Sequence, residues 1–310
     1  MYDRRRRGCR SALKFILGSW GNWYSGWESL EKVVPQADNL GYWGFVMPDH
    51  YMWGQQMGGD ITLDTWIALT YLAAKTEKIH LGTLVSPIPF RPPAMLGKMV
   101  STLDVISKGR TILGVGAGWS QTEFEGYSKW DEPKVRVDKT AEGLELILKL
   151  WTTTTTAKDS NSVSFSGKYY SAINAVLEPK PVQKPYPPLL FGGIGPRMFR
   201  LAGHYADICL IPPWIPQDKA EEAKRIVLQE ASRHGRRDKI SFAEILREAS
   251  SDSPQSPPPK YEFESYSKGV ERIKSAGSEY VIIPVFGPYE SISNLVTDFG
   301  QQIIPSHSAS

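Results

Sequence analysis

Cysteine is scarce in this chain: Cys9 and Cys209 are the two among 310 residues, and they could form at most one bridge, which excludes a disulfide scaffold. No apolar run approaches the ~18 residues that a membrane span requires. An excess of one charge is also lacking. The net charge is +3, and Arg4 to Arg7 alone supply four positive charges. Without them the chain is near neutral, whereas a nucleic-acid binder shows a basic face as well. H-E-x-x-H and C-x-x-C do not occur, and His50, His80, His204, His234 and His307 show no ligand spacing, so no metal site is expected. A G-x-S-x-G elbow and a G-x-x-x-x-G-K-[ST] loop are missing too. Few acids fall at strand ends, where a glycosidase would need a pair.

What is there is apolar side chain: 41% of residues are hydrophobic and 22% charged, enough for a large buried core. The expectation is a soluble, cytoplasmic, globular protein that handles a small molecule, with neither nucleic acid nor membrane as partner. Met1–Arg10 lacks the apolar stretch of a secretory signal and reads as a disordered basic tail, with a phosphate-binding arm as the functional alternative. Residues 11–305 read as one domain with insertions near 51–60, 120–134, 152–187 and 250–260, followed by a tail at 306–310. Trp151–Ser162, with its threonine run, and Ser250–Lys260 (SSDSPQSPPPK) read as poorly ordered surface connections, the second also as a possible polyproline ligand.

Short β-type runs alternate with helical ones. Strands are expected at Leu13–Gly18, Gly44–Met47, Ile79–Val85, Thr111–Gly116, Leu189–Phe191, Asp207–Ile211, Ile240–Leu246 and Tyr280–Pro284, the seventh being equally readable as helix. Helices are expected at Gly26–Leu40 with Gly41 as stop, at Leu63–Lys75 capped by Thr62 or Asp64, and at Pro92–Ser107 with proline in its first turn. Further helices follow at Val135–Trp151, from Pro196 through His204, and at Ala220–Arg233, Tyr261–Ala276 and Ile292–Ile303. Val163–Tyr169 suggests a hairpin. Eight β/α units over roughly 290 residues match an α/β fold of the (β/α)8 TIM-barrel type with insertions. A doubly wound sheet is the alternative.

Three motifs carry candidate chemistry. Gly114-Val115-Gly116-Ala117-Gly118-Trp119 misses the dinucleotide fingerprint, because bulky Trp119 stands where that pattern needs a small residue. A glycine-lined turn at a strand end remains, which a flat ligand could approach closely, or which is simply a tight connection. Gly192-Gly193-Ile194-Gly195-Pro196 joins a buried strand to a helix start and aims free amides at one point, an arrangement suited to an anion. Arg197 and Arg200 follow and could be ordinary surface charges. Asp49-His50 ends the second strand, where barrel side chains reach the active site. His50 suits proton transfer near neutral pH, and Asp49 would orient its ring or cap a turn. Trp20, Trp23, Trp27, Trp53 and Trp119 fall near strand ends, either stacking on a planar ligand or packing in the core.

These residues together resemble the bacterial-luciferase-like superfamily, and within it the oxidoreductases that use the deazaflavin coenzyme F420. The likeness runs from about Leu13 to Ile211. It is carried by Ile79–Trp119 (with LGTLVSPIPFRPPAMLGKMVSTLDVISKGRTILGVGAGW), PDHY at Pro48–Tyr51, the helix at Asp138–Trp151, EPKPVQKPYPPLLFGGIGP at Glu178–Pro196 and RLAGHYADICL at Arg200–Leu210. The resemblance implies a homodimeric TIM barrel that holds a deazaflavin or flavin (F420, with FMN as alternative) at its C-terminal mouth. It implies a non-prolyl cis peptide at Leu84–Val85 behind the central ring. Gly116, Ala117 and Gly118 would line the ring or ribityl chain, and Gly192, Gly193, Ile194 and Gly195 would take the cofactor phosphate. His50, with Asp49, would serve proton transfer, and Trp20, Trp53 and Trp119 would face the substrate. Sugar-phosphate dehydrogenases of the group carry an acid where Trp119 stands, so a less polar substrate is implied. Hydride transfer to or from a small organic molecule is expected. The alternatives are an FMNH2-dependent monooxygenase and a non-catalytic flavin-binding barrel.

Overall fold

Apolar residues make up most of the barrel strands because both strand faces are buried, as parallel sheets covered by helices require. The computed structural model describes residues 12–19, 26–52, 61–154, 162–249 and 262–308. Eight parallel strands form its centre: β1 (Lys14–Ser19), β2 (Gly44–Met47), β3 (His80–Thr83), β5 (Thr111–Gly116), β8 (Leu189–Phe191), β9 (Ile208–Ile211), β10 (Ser241–Ile245) and β11 (Tyr280–Val285). β4 (Ser86–Pro87) continues the line of β3, and β6 (Val163–Ser166) pairs antiparallel with β7 (Ser171–Ala175) as a separate hairpin. The order β3-β2-β1-β11-β10-β9-β8-β5 closes through β3–β5 pairing. Closure rules out the doubly wound sheet and gives the (β/α)8 barrel.

Alternation along each strand divides the core in two. Ile16, Val46, Ile112, Leu190, Ile282 and their neighbours meet inside the barrel. Phe15, Leu17, Phe45, Leu113, Phe191 and Val281 face the surrounding helices. Lys14, Trp43, His80 and Tyr280 close the end where the strands begin: Trp43 stacks on His80 at 4.3 Å, and Lys14 Nζ donates to the Tyr280 hydroxyl at 3.0 Å. That leaves the C-terminal ends of the strands as the face for chemistry.

The expected helices are present with small boundary shifts. Asp64 proves to be the cap of helix Thr65–Ala74, its Oδ1 accepting from the Ile67 amide at 3.0 Å. Gly41, at φ +84°, stops helix Trp27–Asn39. Helices Gln217–Arg233 and Tyr289–Gln302 begin three residues before expectation, directly after Pro216 and Pro288. The seventh strand, ambiguous in sequence, is β. One segment differs in kind: within the expected insertion at 120–134, Gln121–Tyr127 forms a helix. Seven residues are too few to show a helical period. The tail Met1–Arg10, Cys9, Trp20, Trp23, Trp53 and Ser250–Lys260 lie outside the described residues.

The third strand does not run continuously from Ile79 to Val85. Its ladder to β5 pairs Gly82 with Ile112 and then resumes with Ser86 opposite Val115. Four steps on one strand therefore face three on the other, the signature of a β-bulge. Leu84 and Val85 sit in this bulge, and the peptide between them is cis, as the family resemblance implies.

Close backbone approach dictates glycine on the strand beside the bulge. A Cβ on Gly114 would stand 2.0 Å from the Thr83 carbonyl oxygen, and neither backbone can yield without opening the barrel. Gly114→Ala should cost about 1–3 kcal/mol by overpacking, read from urea denaturation. Gly26→Ala, where a Cβ would meet nothing within 4 Å, should stay within about 0.5 kcal/mol. Equal stability of the Gly114 variant and the native chain would refute the close-approach account.

Candidate active site

The ends of β2, β3 and β5 bring the expected site residues to one rim. Asp49 and His50 follow β2 after Pro48, and their side chains part company as successive residues of an extended chain do. Asp49, 1% exposed, meets Arg91 in a two-pronged ion pair, Nη1 to Oδ2 at 2.6 Å and Nη2 to Oδ1 at 2.8 Å. Its Oδ2 also accepts from Ser86 Oγ at 2.5 Å and from Trp66 Nε1 at 3.2 Å. Burial works against the Arg91 charge, but the Asp49 carboxylate outweighs it and raises the guanidinium above its ordinary value. Asp49 is thus bound into the barrel wall, tying the end of β2 to β4 and to helix Thr65–Ala74.

The carboxylate on the histidine ring comes from elsewhere. Glu123 of helix Gln121–Tyr127 accepts from His50 Nδ1 through Oε2 at 2.6 Å. Its other oxygen, Oε1, accepts from the backbone amides of Tyr51 at 2.8 Å and Met52 at 2.7 Å. Glu123 is 2% exposed. Burial pushes its carboxyl up, yet the His50 hydrogen bond and charge, with the two amides, overcome this and hold it below the ordinary glutamate range. Trp119 lies edge-on to the His50 ring, with centroids 5.4 Å apart, and is itself exposed. Neighbouring Tyr51 packs between Phe90 and Tyr127. Its hydroxyl is pushed up to about 12, chiefly by burial, so it stays neutral.

Two of the expected cofactor residues, Gly116 and Gly192, converge on Val85. A Cβ on Gly116 would stand 2.4 Å from Val85 Cγ2, and one on Gly192 3.0 Å from Val85 Cγ1. The bulge therefore packs directly on the backbone of two other strand ends. The Gly192 amide donates to the Val115 carbonyl at 3.1 Å and fixes their relative height. Beyond it, Gly193 and Ile194 are exposed, and Gly195 caps helix Pro196–Tyr205 without a side-chain hydrogen bond. Nothing lies within 4 Å of a Cβ built on Gly195. This open helix start fits an anion such as a cofactor phosphate, and Val85, seated on Gly116 and Gly192, is the side chain that the rim presents beside it. Gly118, at φ +79°, turns the chain so that Ala117 ends the glycine floor and Trp119 reaches His50. Arg197 pairs with Asp138, which takes it out of the free charges near that opening.

Trp20 and Trp53, expected at the substrate side, are outside the described residues. Sequence reasoning did not single out Glu123 or Arg91. The usable signal for Glu123 was an acid close after the glycine turn of the fourth barrel strand, but four positions beyond Trp119 rather than at it. Among the described residues, no three His, Cys, Asp or Glu side chains stand together as a metal set, and no helix is long and apolar enough to cross a membrane.

A family model described as luciferase-like monooxygenase matches residues 14–256. Among solved structures, the chain is similar to a monooxygenase from Streptomyces bottropensis, at 18% identity and a TM-score of 0.76 over 95% of this chain and 99% of that one. It is likewise similar to an F420-dependent secondary alcohol dehydrogenase in complex with an F420-acetone adduct, at 20% identity and 0.72 over 94% and 98%. A third likeness is the coenzyme F420-dependent tetrahydromethanopterin reductase from Methanopyrus kandleri, at 18% and 0.72 over 96% and 100%. At such identities the shared property is the fold.

Removing one partner of a buried ion pair leaves the other charge desolvated. Asp49→Ala should therefore cost about 3–5 kcal/mol, measured as the change in unfolding free energy in denaturant. A loss below about 1 kcal/mol, the value of an exposed pair, would count against the buried pairing.

Proposed function

The chain belongs to the luciferase-like monooxygenase family, a family of oxidoreductases, and from that premise we propose that it is an F420-dependent oxidoreductase that moves a hydride between the deazaflavin and a small organic substrate. The observation that supports this reading is the buried hydrogen bond between His50 and Glu123 at the C-terminal rim of the barrel. His50, bonded to Glu123 at 2.6 Å, shares a rim with the glycine floor through Trp119. Hydride delivery to a carbonyl leaves an alkoxide that needs a proton, and the reverse reaction needs one removed. A histidine within reach supplies both directions.

When bound, the cofactor supplies hydride exchange at a ring carbon, whereas the barrel supplies position and electrostatics. Leu84 and Val85, the latter seated on Gly116 and Gly192, would back the ring, and Gly116, Ala117, Gly118 and Gly192 would lie beside it. The amides at Gly193, Ile194 and Gly195 would hold the phosphate, as a helix start does. His50 would hold or give the proton at Nε2, since Nδ1 faces Glu123. Asp49 would act by fixing the strand end through Arg91. Exposed Trp119, with Trp20 and Trp53, would border the substrate, favouring one with little charge.

The deazaflavin preference rests on the GVGAGW turn and the FRPPAMLGKMVSTLDVISKGR run; the family's description supports the FMN-dependent monooxygenase as the second reading. Fluorescence titration of the purified chain separates them. F420 should bind at least about tenfold (about 1.4 kcal/mol) more tightly than FMN. Tighter FMN binding would reverse the cofactor assignment, and binding of neither would end it.

A cytoplasmic homodimer completes the reading. Adjacent helices Thr65–Ala74 and Pro93–Ile106 expose Ile67, Tyr71 and Met95, apolar groups suited to a second copy of the chain. Sedimentation equilibrium should give twice the chain mass, and Ile67→Asp should return it to one. A native chain that sediments as a monomer at micromolar concentration would remove this surface from consideration.

A further inference from the structure

We infer that Glu123 is the positioning residue for His50: it dictates which ring nitrogen carries the proton and so which one faces the reaction. The inference rests on the reading of His50 as the proton group, and goes beyond it by assigning the device that prepares the ring.

The carboxylate is fully committed. Oε1 is occupied by two backbone amides, Tyr51 N at 2.8 Å and Met52 N at 2.7 Å, and both are obligatory donors. Oε2 is thereby turned to His50 Nδ1 at 2.6 Å. An ionised carboxylate can only accept, and Glu123 is held below its ordinary range. Nδ1 must then carry the hydrogen, and a neutral ring is left with Nε2 as its acceptor. The two amides belong to the residues that follow His50 directly, so one side chain fixes the ring and the backbone that bears it. Trp119 against the ring limits its rotation from another side, with centroids 5.4 Å apart.

The same geometry predicts what an isosteric change does. In Glu123→Gln, the amide oxygen must stay on the Tyr51 and Met52 N–H groups, because the reverse orientation would set donors against donors twice. The NH2 group then faces Nδ1 and donates to it. The neutral ring is driven to the opposite tautomer, with its hydrogen on Nε2, while the shape of the site is unchanged.

Nitrogen NMR of selectively labelled histidine, on the cofactor-free chain with the ring neutral, reads this directly. The native protein should show His50 Nδ1 in the protonated, pyrrole-type range and Nε2 in the unprotonated, pyridine-type range. Glu123→Gln should exchange the two, at unchanged cofactor affinity, whereas hydride transfer falls by about 10²–10⁴-fold. A native ring protonated at Nε2 overturns the inference even if the variant fails to fold, and so does a variant that keeps the native tautomer. Inverted tautomers combined with full hydride transfer in His50→Ala would instead sink the proton-transfer role of His50 and leave the positioning by Glu123 standing.

Discussion

Charge taken out of water at the rim of a barrel has to be paired, and in this protein two pairings at the end of one strand organise everything around them. Asp49 and His50 are consecutive, yet each is bound by a partner from a different part of the chain: Arg91 beyond the third strand and Glu123 beyond the fourth. An unpaired carboxylate or guanidinium in that setting would cost several kcal/mol. Satisfying each of them pulls three successive strand ends into one fixed arrangement. The pair with Arg91 is structural, locked under Ser86 and Trp66. The pair with Glu123 is placed at the mouth, against an exposed tryptophan.

The second constraint is steric. Around the bulge at Leu84–Val85, strand ends approach so closely that only glycine is accommodated at positions 114 and 116. Glycine at such points trades chain entropy for proximity. It produces a floor without side chains on which the valine of the bulge can lie. The helix start that follows β8 is by contrast open, with nothing within 4 Å of a Cβ on Gly195. The bulge and the His50–Glu123 pair are thus built by different physics, close packing in one case and charge pairing in the other, and Trp119, which follows the glycine turn, lies against His50.

This division suits a family whose members differ in chemistry while sharing a barrel. The bound cofactor determines whether hydride or oxygen is transferred, and the protein determines which groups stand ready beside it. A histidine with a dedicated carboxylate is of most use where a proton must accompany a hydride. The His50–Glu123 pair therefore bears on hydride chemistry in a way that the barrel, common to both chemistries, does not.

The alternation of apolar strands with amphipathic helices, the glycine turns and the prolines at helix starts were all legible in the chain, because each is set by local periodicity or by the backbone demands of a single residue. From them the barrel and its eight strands follow, together with the glycine turns that end two of those strands. The separate duties of Asp49 and His50 were not legible, since the partner of each is distant in sequence: 42 residues for Arg91 and 73 for Glu123. Nor was the helix at Gln121–Tyr127, too short to declare a period. Local patterning determined which elements form; only the closing of the barrel decided which carboxylate reaches the histidine, because desolvation and distance exist only once the strand ends are side by side.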